Sequence, residues 1–521
     1  MATALVWFKR DLRIHDHAPL AAAAAFERVL AVYVIEPAWL ASPEFDPQHL
    51  EFALGCLVEL RAGLAARGLP LAVRVGEVRA VFDELQREAG FDHLLSHEET
   101  GPGWSYARDR AVADWCRARG VAWDEFPQHG VVRRLLRRTG WAARWQQRMD
   151  TAEHPIPAAF RGATVALADL PTLADLSLAP HGRSLQPAGE RAGLAVLDSF
   201  LAERGGPYRR AISSPLTAES GSSRLSPYLA FGALSLRRAH QASAAEIRCR
   251  RAGDAADRAF AYGLAGFSSR LRWHCHFMQK LESEPEIEFR NFSRAHDGLR
   301  EPHFDRARFD AWCAGQTGYP MVDACMLQLR ATGWLNFRMR AMLVSFAAYH
   351  LWLHWREPGL FLARQFLDFE AGIHWSQMQM QSGTTGINTL RVYSPTKQAL
   401  DHDPEGVYIR RWIPALARVP LGYLARPWTM PVEIQRAAGC MIGRDYPAPV
   451  VDEATSVKAA KNALYGLRRQ TAAREEAAAI VDKHGSRKSG LPNTTPGQPA
   501  QRTRPPRGVD TDGVQRELFD F

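Results

Sequence analysis

Residues 222–235 read SSRLSPYLAFGALS, and this stretch indicates more about the fold than any other. Ser222, Ser223 and Arg224 stand directly before a predicted helix. Hydroxyl groups, a cation and the first backbone N–H groups of that helix would then converge on one point, an arrangement suited to a pyrophosphate. Taken alone, the stretch is explained more simply as an ordinary helix N-cap formed by Ser222 or Ser226.

The chain beyond this stretch is helical and aromatic as far as about residue 475. Three segments stand out: AGQTGYPMVDACMLQLRATGWLNFRMRAM (314–342), FLDFEAGIHW (366–375) and SPTKQALDHDPEGVYIRRWIPAL (394–416). The first predicts a turn, a helix, a glycine break and a second helix that carries Arg338 and Arg340. In GIHWSQMQMQSGTTGIN (372–388), Met and Gln alternate over 378–381, which fits a half-buried strand. Core packing by methionine explains the same run.

The chain before this stretch alternates between strand-like and helical periods. Strand-like runs occupy 4–8, 28–35, 71–75, 92–97 and 121–126, and helical patterns occupy 49–68 and 105–120. This alternation predicts a Rossmann-like, doubly wound parallel sheet with ligands beyond the carboxyl ends of its strands. Neither GxGxxG nor GxxxxGK[ST] occurs, so a dinucleotide fingerprint or a P-loop is not supported.

The length of 521 residues predicts two or three domains rather than one core. We expect an α/β domain over 1–130, an interdomain linker over 131–195, and an all-helical domain over 196–475. Residues 484–514 are rich in Pro, Gly, Thr and Arg, and we expect a disordered, basic and Pro-rich tail over 476–521.

The composition limits the classes of partner and site. A net charge of +9 fits a polyanionic partner and fits a merely basic soluble protein equally well. The seven cysteines show no CxxC spacing, which argues against a metal site or a disulfide framework and favours a reducing compartment. Charge appears too early for a signal peptide, and the apolar run AMLVSFAAYHLWLHW (341–355) is too short to span a bilayer. We therefore expect a cytoplasmic monomer without a membrane segment.

Taken together, these segments resemble the DNA photolyase/cryptochrome family, in particular its bacterial photolyase-like branch. LVWFKRDLRIHDHAPL (5–20) is similar to the N-terminal signature of the family, and SSRLSPYLAFGALS to its flavin-phosphate motif. TGYPMVDACMLQLRATGW (317–334) and DPEGVYIRRWIPAL (403–416) are similar to its flavin-domain signatures. The resemblance runs in order from about residue 4 to 470. It implies an antenna-type α/β domain and a helical domain that binds FAD.

The resemblance also implies which residues contact FAD. The phosphates would be held by Tyr208, Ser222, Ser223, Arg224, Leu225 and Ser226. Trp273 and His274 match positions on the flavin and substrate side, although His274 stands where the family usually has Arg. Arg340 and Asp368 match an ion pair beside the isoalloxazine ring, where a buried pair would keep the local charge constant. Glu370 matches an acidic flavin-contact position.

On the substrate side, the resemblance implies a lesion flipped out of DNA into a pocket over the flavin. Substrate-binding candidates are Arg270, Phe337, Arg338 and Lys397, and DNA-backbone candidates include Arg410 and Arg411 besides Lys397. Three pocket positions depart from the family: Arg270 replaces a carboxylate, Phe337 an Asn and Ala341 a frequent Met. An arginine offers only hydrogen-bond donors where a carboxylate accepts. The departures fit a different lesion, a different nucleic acid or no repair.

The electron route departs from the family as well. Members often reduce their flavin through three tryptophans that lead to the surface, and these would act with Arg340 and Asp368 in catalysis. Trp355 matches the middle position and Trp312 the outer one. The inner position falls on Ser376 or Met378, with Trp375 close by. His374 is the nearest candidate for the residue that faces flavin N5. The run at 372–388 would then form a wall packed around FAD.

The resemblance leaves three functions open. The first is a photolyase that repairs pyrimidine dimers in UV-damaged DNA, and the second is a cryptochrome that acts as a blue-light photoreceptor. The third is a light-independent flavoprotein. A second, antenna chromophore would be a pterin, a deazaflavin or a lumazine, or its site would be empty. QRELF (Gln515–Phe519) resembles peptides that dock on the bacterial sliding clamp, and a chance hydrophobic terminus explains it too.

Overall fold

The computed structural model describes residues 2–485 except 136 and 389. The peptide Gln515–Phe519 and most of the predicted tail lie outside the described residues. Over the part described, no helix is both long enough and apolar enough to cross a membrane.

The N-terminal domain is built on a five-stranded parallel sheet. Its strands are β1 (Thr3–Phe8), β2 (Arg28–Ile35), β3 (Leu71–Val75), β4 (His93–His97) and β5 (Ala122–Phe126). They lie in the order β3-β2-β1-β4-β5. The strand order therefore runs outward from β1 to one edge of the sheet and from β4 to the other, with the topological switch point between β1 and β4. The helices between them are α1 (Ala18–Ala23), α2 (Pro37–Leu40), α3 (Pro47–Ala65), α4 (Val78–Glu88) and α5 (Gly103–Arg119). The predicted strands and both predicted helices are confirmed to within three residues.

The regular elements in the rest of the described chain are helices, and residues 151–189 are mostly irregular. Its first helices are α6 (Trp141–Asp150), α7 (Glu190–Ser199), α8 (Tyr208–Ala211), α9 (Pro215–Gly221), α10 (Ser226–Ala230), α11 (Leu236–Arg251), α12 (Ala255–Ser283) and α13 (Arg306–Ala314). Then follow α14 (Pro320–Thr332), α15 (Phe337–Ser345), α16 (Arg356–Gln365), α17 (Ala371–Ser382), α18 (Pro395–His402) and α19 (Val407–Trp412). The last are α20 (Leu421–Leu424), α21 (Val432–Ala438), α22 (Glu453–Arg468) and α23 (Thr471–His484). The predicted glycine break between α14 and α15 is present at Gly333, which has a φ of 67°.

Two sequence expectations are wrong. Residues 378–381 belong to helix α17 and not to a strand, because their buried side chains recur with the helical period, as the positions of Trp375, Met378 and Gln379 illustrate. The disordered tail does not begin at 476, because α23 continues to His484. The Glu476 carboxylate anchors that helix by accepting hydrogen bonds from the backbone N–H groups of Arg294 and Ala295.

The two domains are joined through the turn that follows α10. Leu12 N–H donates to the Phe231 carbonyl at 3.2 Å, and Arg13 donates to the Gly232 carbonyl at 3.0 Å. Arg237 pairs with Asp16 at 2.7 Å. One hydrophobic core accordingly runs from one face of the sheet into the first helices of the helical domain, and a second lies around α14–α17. The stretch 222–235 therefore forms helix α10 and also supplies the carbonyl groups that bind the N-terminal domain.

Candidate functional site

Of the residues expected at the FAD phosphates, Ser222, Ser223, Arg224 and Leu225 form a tight loop between α9 and α10. Arg224 has a φ of 59°, a left-handed backbone that non-glycine residues adopt at a cost. Its guanidinium lies 3.8 Å from the centre of the Trp334 ring. Burial lowers the pKa of Arg224 to about 10, so the side chain stays charged at neutral pH. Leu225 is only 1% exposed and anchors the loop in the core.

Arg340 and Asp368 form the predicted ion pair with bidentate geometry. Arg340 Nη1 and Nη2 each lie 2.9 Å from one carboxylate oxygen of Asp368. Burial alone would raise the pKa of Asp368, but Arg340 and a hydrogen bond from Ser226 hold that pKa below its ordinary value. The pair therefore meets the first residue of α10, and the sequence-predicted phosphate loop and ion pair lie together.

Helix α12 brings Arg270, Trp273 and His274 to one side of the site. Arg270 is hydrogen-bonded to the hydroxyl of Tyr208, another residue expected at the phosphates. Tyr208 is buried between Phe200 and Phe267, with ring centres 5.6 and 5.8 Å away. The cation of Arg270 thus lies against α8.

His274 and Glu370 form a second charged pair. His274 Nε2 lies 2.8 Å from Glu370 Oε2, and both side chains are nearly buried. Burial opposes a charge on His274, but Glu370 and Cys275 outweigh it and raise the pKa of His274 to about 10. The imidazolium therefore supplies, at neutral pH, the positive charge that an arginine would carry at this position.

Two residues of this site carry no motif that sequence reasoning detected. Asn336 precedes α15, and its side-chain N–H groups donate to the carbonyls of Ile212 and Ser213. Gln186 lies in the linker and donates to the Arg224 carbonyl at 3.1 Å. Asn336 is adjacent to the departure at Phe337, which is the one signal for it in the sequence, whereas the residues around Gln186 contain no such signal.

The donor set fits the flavin dinucleotide that the resemblance implies. Among the described residues, the buried Ser222 Oγ and Asn336 Oδ1 have no hydrogen-bond partner, which is costly unless a ligand satisfies them. Ser222 lies in the loop that carries Arg224, and Asn336 directly precedes helix α15, which carries Arg340. A hydroxyl and a cation suit the phosphates, and the ion pair suits a ring whose charge changes.

The candidate electron-transfer tryptophans are arranged only partly as expected. Trp375 and Trp355 are both buried, and their ring centres lie 5.9 Å apart at 63°. Trp312, expected near the surface, is completely buried and packs on Phe309 and Phe361. Helix α13 turns the Trp312 ring into the second core, so this ring has no contact with solvent, and its place as the outer member of the electron route stays a prediction.

His374 lies on the same helix as Trp375. Its Nε2–H donates to the Gly359 carbonyl at 2.9 Å. Burial lowers the pKa of His374 to about 3, so the imidazole is neutral and keeps Nδ1 as an acceptor. The ring packs on Phe369 and Trp375, with centres 5.1 and 4.8 Å away.

The substrate-side candidates lie at the exposed end of α15 and on α18. Phe337 is 48% exposed, and Ala341, one turn further, is buried. Burial lowers the pKa of Arg338, whose side chain lies near Asp401 of α18. Lys397 is exposed on α18. Phe337 and Arg338 are thus close to Arg340 on one helix, while Lys397 is presented by a neighbouring one.

Asp11, His17 and His97 form a buried cluster at the carboxyl end of β1 and β4 whose residue types suit a metal ion. Its hydrogen bonds explain it otherwise. His17 Nδ1 accepts the Leu20 N–H, so Nε2 carries the proton and donates to Asp11 Oδ2 at 3.0 Å. His97 Nδ1 lies 2.7 Å from the same oxygen. The protonated Nε2 of His17 would have to give up its hydrogen before it could bind a metal.

Comparison with known proteins agrees with the site. A family described as DNA photolyase matches residues 4–136, and one described as the FAD binding domain of DNA photolyase matches 267–465. The chain is 30% identical to cryptochrome DASH of Gloeobacter violaceus over 492 residues, covering 89% of this chain and 95% of that protein. It is 31% identical to a deoxyribodipyrimidine photo-lyase of Streptomyces griseus over 479 residues, covering 87% and 97%.

A solved structure supports the same assignment. The crystal structure of a class III photolyase from Agrobacterium tumefaciens matches with a TM-score of 0.78 and 25% identity, covering 90% of this chain and 98% of that one. Relatives with both kinds of name, photolyase and cryptochrome, match over nearly their whole length. The chain belongs to the DNA photolyase/cryptochrome family, and its cofactor is FAD.

Proposed function

We propose that the protein binds UV-damaged DNA and repairs pyrimidine dimers by light-driven electron transfer from reduced FAD, as a lyase of the deoxyribodipyrimidine photolyase type. One observation carries the proposal. Phe337 is 48% exposed, and three positions further on α15 lies Arg340, paired with Asp368. Residues three apart share a helix face. An exposed aromatic ring one turn from the flavin-side ion pair is suited to stack a base flipped out of a duplex.

The bound cofactor supplies a one-electron donor that blue light excites. The side chains of the protein orient and insulate the reacting groups. Asp368, held ionised by Arg340 and Ser226, keeps the charge beside the ring constant. The His274–Glu370 pair adds a second balanced charge nearby. Fixed, paired charges reorganise little when an electron moves, which favours transfer.

DNA binding would come from cations around this opening. Lys397 and Arg411 are exposed and free to reach phosphates. Arg410 is less suited, because it donates to the carbonyls of Glu405 and Val419. Each phosphate contact makes the affinity fall with salt, with a slope of about −0.9 per neutralised phosphate on duplex DNA. The net charge of +9 fits such a partner.

The test uses the purified, FAD-reduced protein, an oligonucleotide with one thymine dimer, and blue light. We expect intact thymines to be restored. Phe337→Ala should weaken dimer binding about tenfold, since stacking on an aromatic ring contributes about 1–3 kcal/mol per base. Phe304→Ala, at another exposed phenylalanine, is the matched control and should bind as the parent does. Absence of repair under these conditions would contradict the proposal.

The competing function is that of a cryptochrome photoreceptor. It is favoured by Arg270, whose guanidinium is bound to the Tyr208 hydroxyl where a carboxylate would accept from a pyrimidine. The repair assay separates the two functions. A protein that reduces its FAD in light but leaves dimers intact and binds damaged and undamaged DNA equally would be assigned to the photoreceptor class.

A second, light-harvesting chromophore in the α/β domain is part of the proposal, with its chemical class open among a pterin, a deazaflavin and a lumazine. Cofactors released by denaturing the purified protein should include one that absorbs in the near ultraviolet besides FAD. Release of FAD alone would remove this part of the proposal and leave the rest intact.

We further propose that the protein is a cytoplasmic monomer and that it docks on the sliding clamp through Gln515–Phe519. The apolar side chains of Leu518 and Phe519 are suited to anchor such docking. Leu518→Ala with Phe519→Ala should abolish capture of the purified clamp, and Val514→Ala serves as the control. Unchanged capture would end this idea.

A further inference from the structure

Polar side chains from four segments come together at the C-terminal end of helix α17: Arg300, Tyr349, Ser382 and Arg468. The guanidinium carbon of Arg300 lies 5.7 Å from the centre of the Tyr349 ring, and Arg300 Nη2 donates to the Ser382 carbonyl at 3.0 Å. Burial raises the pKa of Tyr349 to about 12, and the charges of Arg300 and Arg468 oppose that rise, so both guanidinium groups lie near the hydroxyl. Glu370, on the flavin side, precedes the other end of α17, whose 12 residues span about 18 Å. The cluster is therefore separate from the flavin site.

All four side chains carry buried polar atoms without a hydrogen-bond partner among the described residues. These atoms are Arg300 Nε, Tyr349 Oη, Ser382 Oγ, and Nε and Nη2 of Arg468. Arg300 and Tyr349 are each 1% exposed and Ser382 is 0% exposed, so bulk water does not reach them. Buried polar groups are nearly always paired, because each unpaired one costs desolvation energy. Several unpaired groups in one place indicate a binding site.

The charge of this cluster is positive and is not balanced by a carboxylate. Burial lowers the pKa of Arg300 to about 10, so its guanidinium stays charged at neutral pH. Glu301 accepts from the backbone N–H of Arg300, and the Glu476 carboxylate accepts from the Ser293 hydroxyl and from two backbone N–H groups. Among the described residues, neither Arg300 nor Arg468 has an ion-pair partner. Buried cations of this kind are tolerated when an anion compensates them.

The backbone around Tyr349 is irregular and fixes the position of these groups. Tyr349 lies in the π-helical turn Phe346–His350, a conformation that is frequent at functional sites. Trp352 follows with a φ of 58°, and the centre of its ring lies 4.6 Å from the Arg300 guanidinium carbon. Gly383 leaves room for the hydroxyl, because a Cβ placed there would lie 2.5 Å from Tyr349 Oη. The donors are thus held in place before a ligand arrives.

We propose that Arg300, Arg468, Tyr349 and Ser382 bind the phosphate group of a small molecule, at a site separate from FAD. Guanidinium groups match pairs of phosphate oxygens, and the two hydroxyls donate to the oxygens that remain. A tetrahedral phosphate accepts hydrogen bonds from several directions, whereas a planar carboxylate accepts them in one plane. Arg468 is half-buried on α22 and marks the side from which the ligand enters. The depth of Arg300 favours a small ligand over the backbone of DNA, and binding requires neither light nor repair.

Calorimetric titration of the FAD-loaded protein with inorganic phosphate tests the proposal, because bound FAD already occupies the flavin-phosphate loop. We expect one phosphate per chain with a Kd below about 1 mM. Acetate at the same ionic strength should bind at least about tenfold more weakly. Adenosine monophosphate distinguishes the two sources of phosphate: tighter binding than the free ion assigns the site to a phosphate monoester, and weaker binding assigns it to the free ion. Equal binding of phosphate and acetate, or no saturation by about 10 mM phosphate, would overturn the proposal.

Two variants locate the binding at this cluster. Arg468→Gln should raise the Kd for phosphate about tenfold, in the range of one lost hydrogen bond to a charged group. Arg469→Gln, at the exposed neighbouring arginine, is the matched control and should leave the Kd unchanged.

Tyr349→Phe removes only a hydroxyl that has no partner in the described chain. It should leave the thermal stability of the phosphate-free protein unchanged or higher, and should raise the Kd for phosphate at least about threefold. A cluster with a purely structural role would show lower stability and an unchanged Kd. Kd values of Arg468→Gln and Tyr349→Phe equal to that of the parent would overturn the inference.

Discussion

Asp368 carries a negative charge at a place that water hardly reaches, and three neighbours make this tolerable. Arg340 binds both carboxylate oxygens, and the Ser226 hydroxyl donates a hydrogen bond to the carboxylate. The positive charge of Arg224 is close enough to stabilise the ionised carboxylate further. The sequence resemblance predicted the ion pair. It could not predict that Ser226 joins the pair, because that contact links residues more than a hundred positions apart.

Arg340→Ala should destabilise the protein by about 3–5 kcal/mol, since it leaves a buried carboxylate unpaired. It should also release FAD. The control is Arg306→Ala, which breaks an exposed pair with Asp310, where the side chains are 76% and 54% exposed. Such a pair contributes at most about 1 kcal/mol. Urea unfolding and the FAD-to-protein ratio measure both effects; equal losses in the two variants would contradict the assigned burial.

The His274–Glu370 pair makes stability depend on pH. The folded-state pKa of His274 is about 10, above its ordinary value of 6.5. Its contribution is therefore complete below pH 6.5 and is lost as the pH rises toward 10. The difference in unfolding free energy between the parent and His274→Gln should be largest at pH 6. It should shrink by about 1.4 kcal/mol for each pH unit between the unfolded and folded pKa values of His274.

Urea unfolding at pH 6, 8 and 9.5 measures this trend. His93→Gln is the control, because the His93–Asp92 pair is exposed at the surface. A difference that stays constant across this range for His274→Gln would show that the imidazole does not titrate as the geometry requires.

At the scale of the element, helix α17 shows why the local pattern of the Met and Gln run predicts the wrong secondary structure. Gln379 is completely buried and serves the loop before α13: its amide N–H groups donate to the carbonyls of Ile287 and Arg290, and its Oε1 accepts from Phe292 N–H. Alternation over four residues fits a strand as well as a helix. The partners that favour the helix lie some ninety residues upstream, where no local pattern points.

Gln379→Leu should destabilise the protein by about 3 kcal/mol, because the buried Phe292 N–H and Ile287 carbonyl lose their partner at about 1–3 kcal/mol each and the part-buried Arg290 carbonyl loses one as well. Gln377→Leu lies on the same helix but is only half-buried and bonds to Gln381. It should change the free energy of unfolding by less than about 0.5 kcal/mol. Denaturant unfolding compares the two, and similar losses would argue against the role given to Gln379.

At the scale of the whole molecule, the domains meet where the chain has no room for a side chain. Gly232 has a φ of 62°, and a Cβ placed there would lie 2.1 Å from the Arg10 carbonyl oxygen. The neighbouring Phe231 and Gly232 carbonyls accept the hydrogen bonds from Leu12 and Arg13 that join the domains. The turn after the flavin-phosphate loop is thus also a close contact point of the domain interface.

Gly232→Ala should therefore cost more than backbone strain alone. Gly140, with a φ of 77° and open space around its Cβ position, is the matched control. Gly140→Ala should cost about 1 kcal/mol, the ordinary penalty of a left-handed alanine. Gly232→Ala should cost several times as much and lower FAD retention. Thermal unfolding and absorbance at the flavin band measure both; equal costs would rule out a tight interface at this turn.

The sequence by itself determines the two-domain architecture and the five strands, and its resemblance to the family implies the FAD-binding class and the Arg340–Asp368 pair. These predictions rest on local periodicity and on contiguous motifs, which can be recognised in the sequence without knowledge of the fold. Folding alone decides that Trp312 is buried, that Gln379 closes a distant loop, and that Arg300 lies over Trp352 and binds the Ser382 carbonyl. Each of these depends on groups far apart in the chain, and the energy of a buried charge or amide is set by which partners the packing brings within 3 to 5 Å.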